Sequence, residues 1–180
     1  MSRILIIALA ALFAGSAMAF ELSSPDPEVT NGRPMPKAQE FRGMGCNGDN
    51  LSPELVWKDP PAGTLSFAVT VFDPDAPTGS GWWHWVVYDI PATATGLPAG
   101  AVIKAALPTG TKQGRNDFGL RNFGGACPPV GDKPHHYVFM IHALKVEKLN
   151  VPDDASPALI GFMLHSNRLG LAKMTTTYSR

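Results

Sequence analysis

The sequence predicts a single, mostly β domain, and three observations carry that prediction. Gly and Pro number 18 and 17 among 180 residues, which favours many turns over a helix bundle. Residues 65–73, 82–90 and 135–144 are strongly apolar and read as strands. Helix start and stop signals occur near the C-terminal end. With 44% hydrophobic and 17% charged residues, the chain is globular rather than disordered.

The first residues read as an export leader. Arg3 gives a small positive start, residues 4–14 form a short apolar run, and Ala17-Met18-Ala19 is an A-x-A cleavage signal. The apolar run is too short to span a bilayer comfortably. The expected organisation is therefore a signal peptide, 1–19, and one domain, 20–180, in the periplasm or outside the cell. Export changes how Cys46 and Cys127 read. An even pair in an oxidising compartment is a candidate disulfide, with two separate thiols as the alternative. Neither belongs to a C-x-x-C pair, so zinc is disfavoured.

Residues 20–40 carry Pro25, Pro27, Pro34 and Pro36 and read as extended edge structure with turns. Residues 41–53 form a loop rich in Gly, Asn and Asp, and Pro53 opposes a helix through it. A short strand is expected at 54–57, then a turn through Pro60, Pro61 and Gly63. In 65–73, Leu65, Phe67, Val69 and Val71 share one face, and the period of two puts Asp73 on that same apolar face. A carboxylate there should point into the interior or a cleft.

Gly79–Gly81 turns the chain into 82–90, which is apolar on both faces and so expected to be covered on both. Alternation puts Trp83 and Trp85 on one face and Trp82 on the other. Residues 91–108 connect without a firm period. The glycine-rich stretch 107–134 is too long for an ordinary connector, and its aromatics and Cys127-Pro128-Pro129 element argue for order. In 135–144, His135, Tyr137, Phe139 and Ile141 share one face. Ser156-Pro157 looks like an N-cap followed by Pro at the first helical position. Leu159, Phe162, Met163 and Leu169 give the expected apolar stripe, Gly170 the expected stop, and 171–178 a final short strand.

Polar chemistry concentrates at strand ends: Asp73 with Asp75, His84, and His135 with Tyr137. Imidazole N–H, a phenol and loop N–H groups are what a phosphate or carboxylate needs. An Asp bonded to a His N–H fixes its tautomer, so Asp, His and Tyr together can make a nearly neutral pocket that still takes an anion. Other readings weigh less. Two histidines and a carboxylate could ligate a metal, but no H-x-H or H-E-x-x-H spacing supports it. A Ser hydrolase lacks its G-x-S-x-G, and Ser80 reads as a turn residue. His142 and His165 read as satisfied core residues. A formal net charge of +0 with no basic stripe disfavours nucleic acid.

Those motifs carry a resemblance. "DPDAP" followed by "GSGWWHW", then "PP" followed by "HHY" and an apolar strand, resembles the phosphatidylethanolamine-binding protein family, in particular its bacterial, Raf kinase inhibitor-like branch. It covers the chain from about Phe41 onward. The resemblance implies two antiparallel sheets with Greek-key-like connections and a few short peripheral helices. It also implies a small-anion pocket containing Asp73, Asp75, Pro77, His84, Pro128, His135 and Tyr137. Where the family usually has His-Arg-Tyr, this chain has His135-His136-Tyr137, which should weaken an ion pair with Asp75 or a neighbour. Phe123 stands where a tyrosine is usual.

The resulting expectation is a non-enzymatic, regulatory, exported protein that binds a small anionic ligand and needs no cofactor. The alternative is an inhibitor of a periplasmic or secreted serine protease acting through surface contacts. A hydrolase using Asp73, His84 and His135 is a weaker third class. A homodimer and the physiological protein partner stay open.

Overall fold

A computed structural model describes residues 19–180. The expected leader therefore lies outside the described residues except for Ala19. In chain order the strands are β1 (Glu21–Ser23), β2 (Arg42–Gly43), β3 (Cys46–Asn47), β4 (Leu55–Lys58), β5 (Ser66–Asp73) and β6 (Trp82–Pro91). They continue with β7 (Gly96–Leu97), β8 (Lys112–Gln113), β9 (His135–Leu144) and β10 (Arg168–Tyr178). The helix α1 (Pro157–Asn167) precedes β10 directly, and a 3-10 turn spans Lys37–Gln39.

The five-stranded sheet runs β10-β9-β5-β6-β8, and a three-stranded sheet runs β1-β4-β7. All strand pairs in both are antiparallel. The β2–β3 pair is a separate small ribbon.

The main core lies between the two sheets. Leu22, Leu55, Trp57 and Leu97 from the small sheet meet Phe67, Val69, Phe139 and Ile141 from the large one, with the Trp57 and Phe67 rings 5.4 Å apart. Complete burial of such side chains stabilises by roughly 1.5–3 kcal/mol each. A second cluster covers the opposite face of the large sheet, where Ile160 and Leu164 of α1 pack on Ala68, Val86, Tyr88 and Leu144. β5 and β6 are thus buried on both faces, as their uninterrupted apolar character requires.

Two expectations are corrected. Ser156 does cap α1, its hydroxyl accepting from the Leu159 N–H, with Pro157 at the first turn. Ile160 and Leu164 are its buried residues, however, while Leu159 and Phe162 face solvent, Phe162 with 65% exposure. An i, i+4 pair meeting a flat sheet decides which face is inside, and in an apolar helix several stripes compete. The helix ends at Asn167, and Leu169 belongs to β10, a strand of 11 residues rather than a short one.

The second correction concerns the tryptophans. Val71 pairs with Trp85 but Phe72 pairs with Trp83, so His84 is an extra residue in β6. Such a bulge turns two successive side chains to one face. His84 and Trp85 both face inward, Trp83 packs on the outer cluster, and Trp82 joins His84. Simple alternation therefore fails at the residue that matters most. Gly81 makes the approach possible. Its φ is +72°, and a Cβ there would lie 2.3 Å from the Phe72 ring and 2.7 Å from the Asp73 carbonyl oxygen.

Candidate functional site

At the end of the sandwich, the termini of β5 and β9 and the start of β6 meet the loop around Cys127. They enclose a cavity of about 150 Å³. At ~30 Å³ per water this is about five waters: room for a phosphate or carboxylate headgroup, and less than the ~300–1,000 Å³ of drug-sized sites. Asp73, Pro77, His84, Pro128, His135 and Tyr137 all line it. Of the seven residues expected there, Asp75 alone does not.

Asp73 is buried and organises one wall. Its Oδ1 accepts from the N–H groups of Asp75 and Ala76, at 2.8 and 3.1 Å, which fixes the turn after β5. Its Oδ2 accepts from His135 Nδ1 at 2.8 Å. The carboxylate is therefore occupied on both oxygens, and its charge is spread over three donors rather than presented bare to a ligand. The same bond leaves His135 Nε2 as the free ring nitrogen. Asp132 Oδ2 stands 3.5 Å from it, too far for a close hydrogen bond.

His84 is held from the other side. Its Nδ1 faces the carbonyl oxygens of Gly124 and Gly125 at 2.8 and 3.1 Å. Carbonyls only accept, so Nδ1 carries the proton and Nε2 is left to meet a ligand. Burial holds the His84 imidazolium below its ordinary range, outweighing the two carbonyls and the Asp73 charge that favour it. The Tyr137 hydroxyl is buried with no hydrogen-bond partner. Burial, then the Asp73 carboxylate, pushes that phenol far upward, so it stays a neutral donor; the Cys127 backbone lies close by without bonding it. A buried hydroxyl left unpaired costs about 1–3 kcal/mol, which a ligand oxygen would recover.

Pro77, Pro128, Pro129, Trp82 and Phe118 are among the remaining walls. Proline has no N–H, so these three loop residues supply no backbone donor. Trp82 Nε1 is likewise buried without a partner.

Asp75 faces an open cleft on the far side of His135, with His136. It accepts from both the His136 N–H and His136 Nδ1, each at 2.7 Å. Burial would raise the Asp75 carboxyl, but His136 outweighs it and holds the group below the usual carboxylate range. His136 thus stands where the family usually has arginine and supplies Asp75 with a partner, in a contact open to solvent. Phe123 packs edge-on against Trp85 in the core, away from the cavity. Ser80 lies on the opposite side of the sheet, out of reach of His84.

The second wall is tied down by the candidate disulfide and by Asn50 and Arg180, which the sequence did not single out. Cys46 and Cys127 form a disulfide with Cα atoms 6.0 Å apart, joining the β2–β3 ribbon to the cavity loop. Asn50 Nδ2 donates to the Phe123 carbonyl at 2.9 Å, and its Oδ1 accepts from the Gly125 N–H at 2.7 Å. That clamp holds the Gly124–Gly125 peptide, whose carbonyl orients His84, while the Ala126 N–H on the Gln39 carbonyl holds the next peptide. Gly125 allows it, because a Cβ there would stand 2.2 Å from the Gln39 carbonyl oxygen. Arg180 Nε donates to the Pro128 carbonyl at 2.7 Å and its Nη1 to Gly45 at 3.0 Å. Beneath them the Tyr178 hydroxyl bonds Glu40. A lone Asn in a Gly-Asn-Asp loop carries no periodic signal, and Arg180 lies 52 residues from its partner Pro128.

Comparison with known proteins agrees with this architecture. The chain is 54% identical over 168 residues to the UPF0098 protein YbcL of Escherichia coli K12, covering 92% of this chain and 91% of the relative. It is 48% identical over 153 residues to YbhB of the same organism, covering 84% and 96%. The crystal structure of E. coli YbcL, described as a new member of the mammalian PEBP family, superposes with a TM-score of 0.86. That match has 53% identity and covers 91% of this chain and 99% of the other. A carboxypeptidase Y inhibitor solved with its cognate proteinase shares the fold alone, at TM-score 0.53 and 19% identity, covering 91% and 83%. Residues 25–179 match the phosphatidylethanolamine-binding protein family, and with a built relative at this identity the chain belongs to that family.

Proposed function

We propose that this protein is exported and binds a small oxyanion, a phosphate- or carboxylate-type headgroup, in the cavity between His84, His135 and Tyr137, without turning it over. One observation carries the reading. Three polar side chains converge on a headgroup-sized space, each with its other atoms fixed and one atom left over: Nε2 of His84, Nε2 of His135, and an unpartnered Tyr137 hydroxyl. The lining hydroxyls are those of Thr78, which bonds the Gly81 carbonyl, and Tyr137, which burial keeps neutral; both favour binding over turnover. The leader sequence and the Cys46–Cys127 bridge favour an oxidising compartment. The protease-inhibitor alternative draws on a likeness of fold.

Phosphate titration followed by NMR tests the reading. Shifts should appear at His84, His135 and Tyr137 and vanish in His84→Ala and His135→Ala; unchanged shifts in both variants would refute it. Acetate adds a pH test. An anion beside Nε2 favours the His84 cation that burial disfavours, so acetate, ionised throughout the neutral range, should bind more tightly as pH falls. Affinity independent of pH would remove His84 from the contact.

A further inference from the structure

The outer face of the large sheet carries a second opening, across the sheet from the His84 cavity. It is a groove of about 480 Å³, within the ~300–1,000 Å³ of small-molecule sites. Phe72, Trp83 and Met140 make its floor and α1 its wall, and the Phe72 and Trp83 rings lie 4.7 Å apart.

Three features define what would fit. Gly161, in the middle of α1, faces this floor: a Cβ there would rest in ordinary contact with the Trp83 ring, at 3.5 Å, and a longer side chain would fill the space. Glycine inside a helix costs about 1 kcal/mol relative to alanine, and here it leaves an aromatic floor uncovered. The charge is of one sign. Arg168 lines the groove, Lys173 shares its face by pairing with Met140, and none of the lining residues is Asp or Glu. Among the described residues Arg168 makes no salt bridge; its guanidinium rests 3.4 Å from His165 Nδ1. His142, 6% exposed, sits in the floor with Nε2 on the Thr70 hydroxyl and Nδ1 unpartnered. Finally, the groove follows α1 from Ala158 to Arg168, about 15 Å at ~1.5 Å per residue. An extended alkyl chain can follow that path, and a single ring would leave most of it empty.

We propose that this groove binds a medium-chain alkyl carboxylate, with its chain along Phe72, Trp83 and Met140 beneath α1 and its carboxylate on the Arg168 guanidinium. The guanidinium fork matches a carboxylate bidentately. The site is independent of the His84 cavity and stands or falls separately from it.

Decanoate titrated into the full-length labelled protein tests this. Saturable NMR shifts are expected at Trp83, His142 and Gly161, and they should persist unchanged in His84→Ala, where the cavity across the sheet has lost its ligand nitrogen. His142 is a built-in reporter: its buried ring sits in the groove floor with Nδ1 unpartnered, so its ring resonances should shift as decanoate saturates. Arg168→Gln should weaken decanoate at least about tenfold, the scale of one charge-assisted contact. Gly161→Leu should block the groove, with a native-like spectrum showing that the variant is folded. Decanol, lacking the charge, should bind at least about tenfold more weakly than decanoate. Absence of saturable groove shifts, equal binding of decanol, or undiminished affinity in folded Gly161→Leu would each overturn the proposal.

Discussion

Replacing Asp73 by asparagine separates its structural from its electrostatic role. The amide oxygen can still accept from the Asp75 and Ala76 N–H groups, the contacts now at 2.8 and 3.1 Å. The amide nitrogen, however, must face His135 Nδ1, which in the native protein donates to a carboxylate at 2.8 Å. Two donors cannot share that contact, so the imidazole must shift its proton to Nε2 and accept at Nδ1. The charge-assisted bond is exchanged for a neutral one. Bonds to charged groups contribute about 1.5–3 kcal/mol against about 0.5–1.5 for neutral ones, so a loss of about 1–2 kcal/mol follows. For a domain of this size that lowers the melting temperature by roughly 2–8 °C. Asp73→Ala should cost more, because three donors lose their acceptor. The direct assay is ¹⁵N NMR of the histidine rings, which distinguishes the tautomers. A His135 ring that keeps its proton on Nδ1 in Asp73→Asn, with melting unchanged, would refute the argument.

Three further outcomes follow from the geometry. Asn50→Ala removes both ends of the clamp on Phe123 and Gly125, so unfolding should become easier by about 1–3 kcal/mol. Phosphate binding should weaken with it, read by calorimetry against Asn50→Asp, which keeps one acceptor. Reducing the Cys46–Cys127 bridge releases a loop with sequence separation 81. The chain-entropy argument gives roughly 4–5 kcal/mol, checked by urea unfolding with and without reductant; coincident curves would contradict it. His142 makes stability fall in acid. Its value is about 3 when folded and about 6.5 when unfolded. The unfolded state therefore takes up the extra proton as pH drops between those values, and stability declines by up to about 1.4 kcal/mol per pH unit. His142→Leu should flatten that slope in unfolding measured at several pH values.

Much of the site could be read locally. The period of two in residues 65–73 placed Asp73 on the inward face, and its side chain lines the cavity. The same period put Tyr137 with Phe139 and Ile141, and all three are in the main core. Strand alternation is a backbone property, so it survives wherever the ladder is regular. It broke at His84, because a bulge is defined by the register of two strands and neither strand records it alone. It also left α1 undecided, since every face of that helix offered an apolar residue and only the sheet beneath selected Ile160 and Leu164.

The sequence by itself therefore determined the mostly β architecture, the inward carboxylate at the end of β5, and the residue types that meet in the cavity. Tertiary structure decided how they are used. It turned Asp75 away to His136, set His84 Nδ1 on two carbonyls, and recruited Asn50 and Arg180 to hold the far wall. The physical reason is range. Side-chain parity and turn chemistry act over a few residues, whereas a hydrogen bond between Asn50 and Phe123 spans 73 residues and exists only once both sheets have closed around the core.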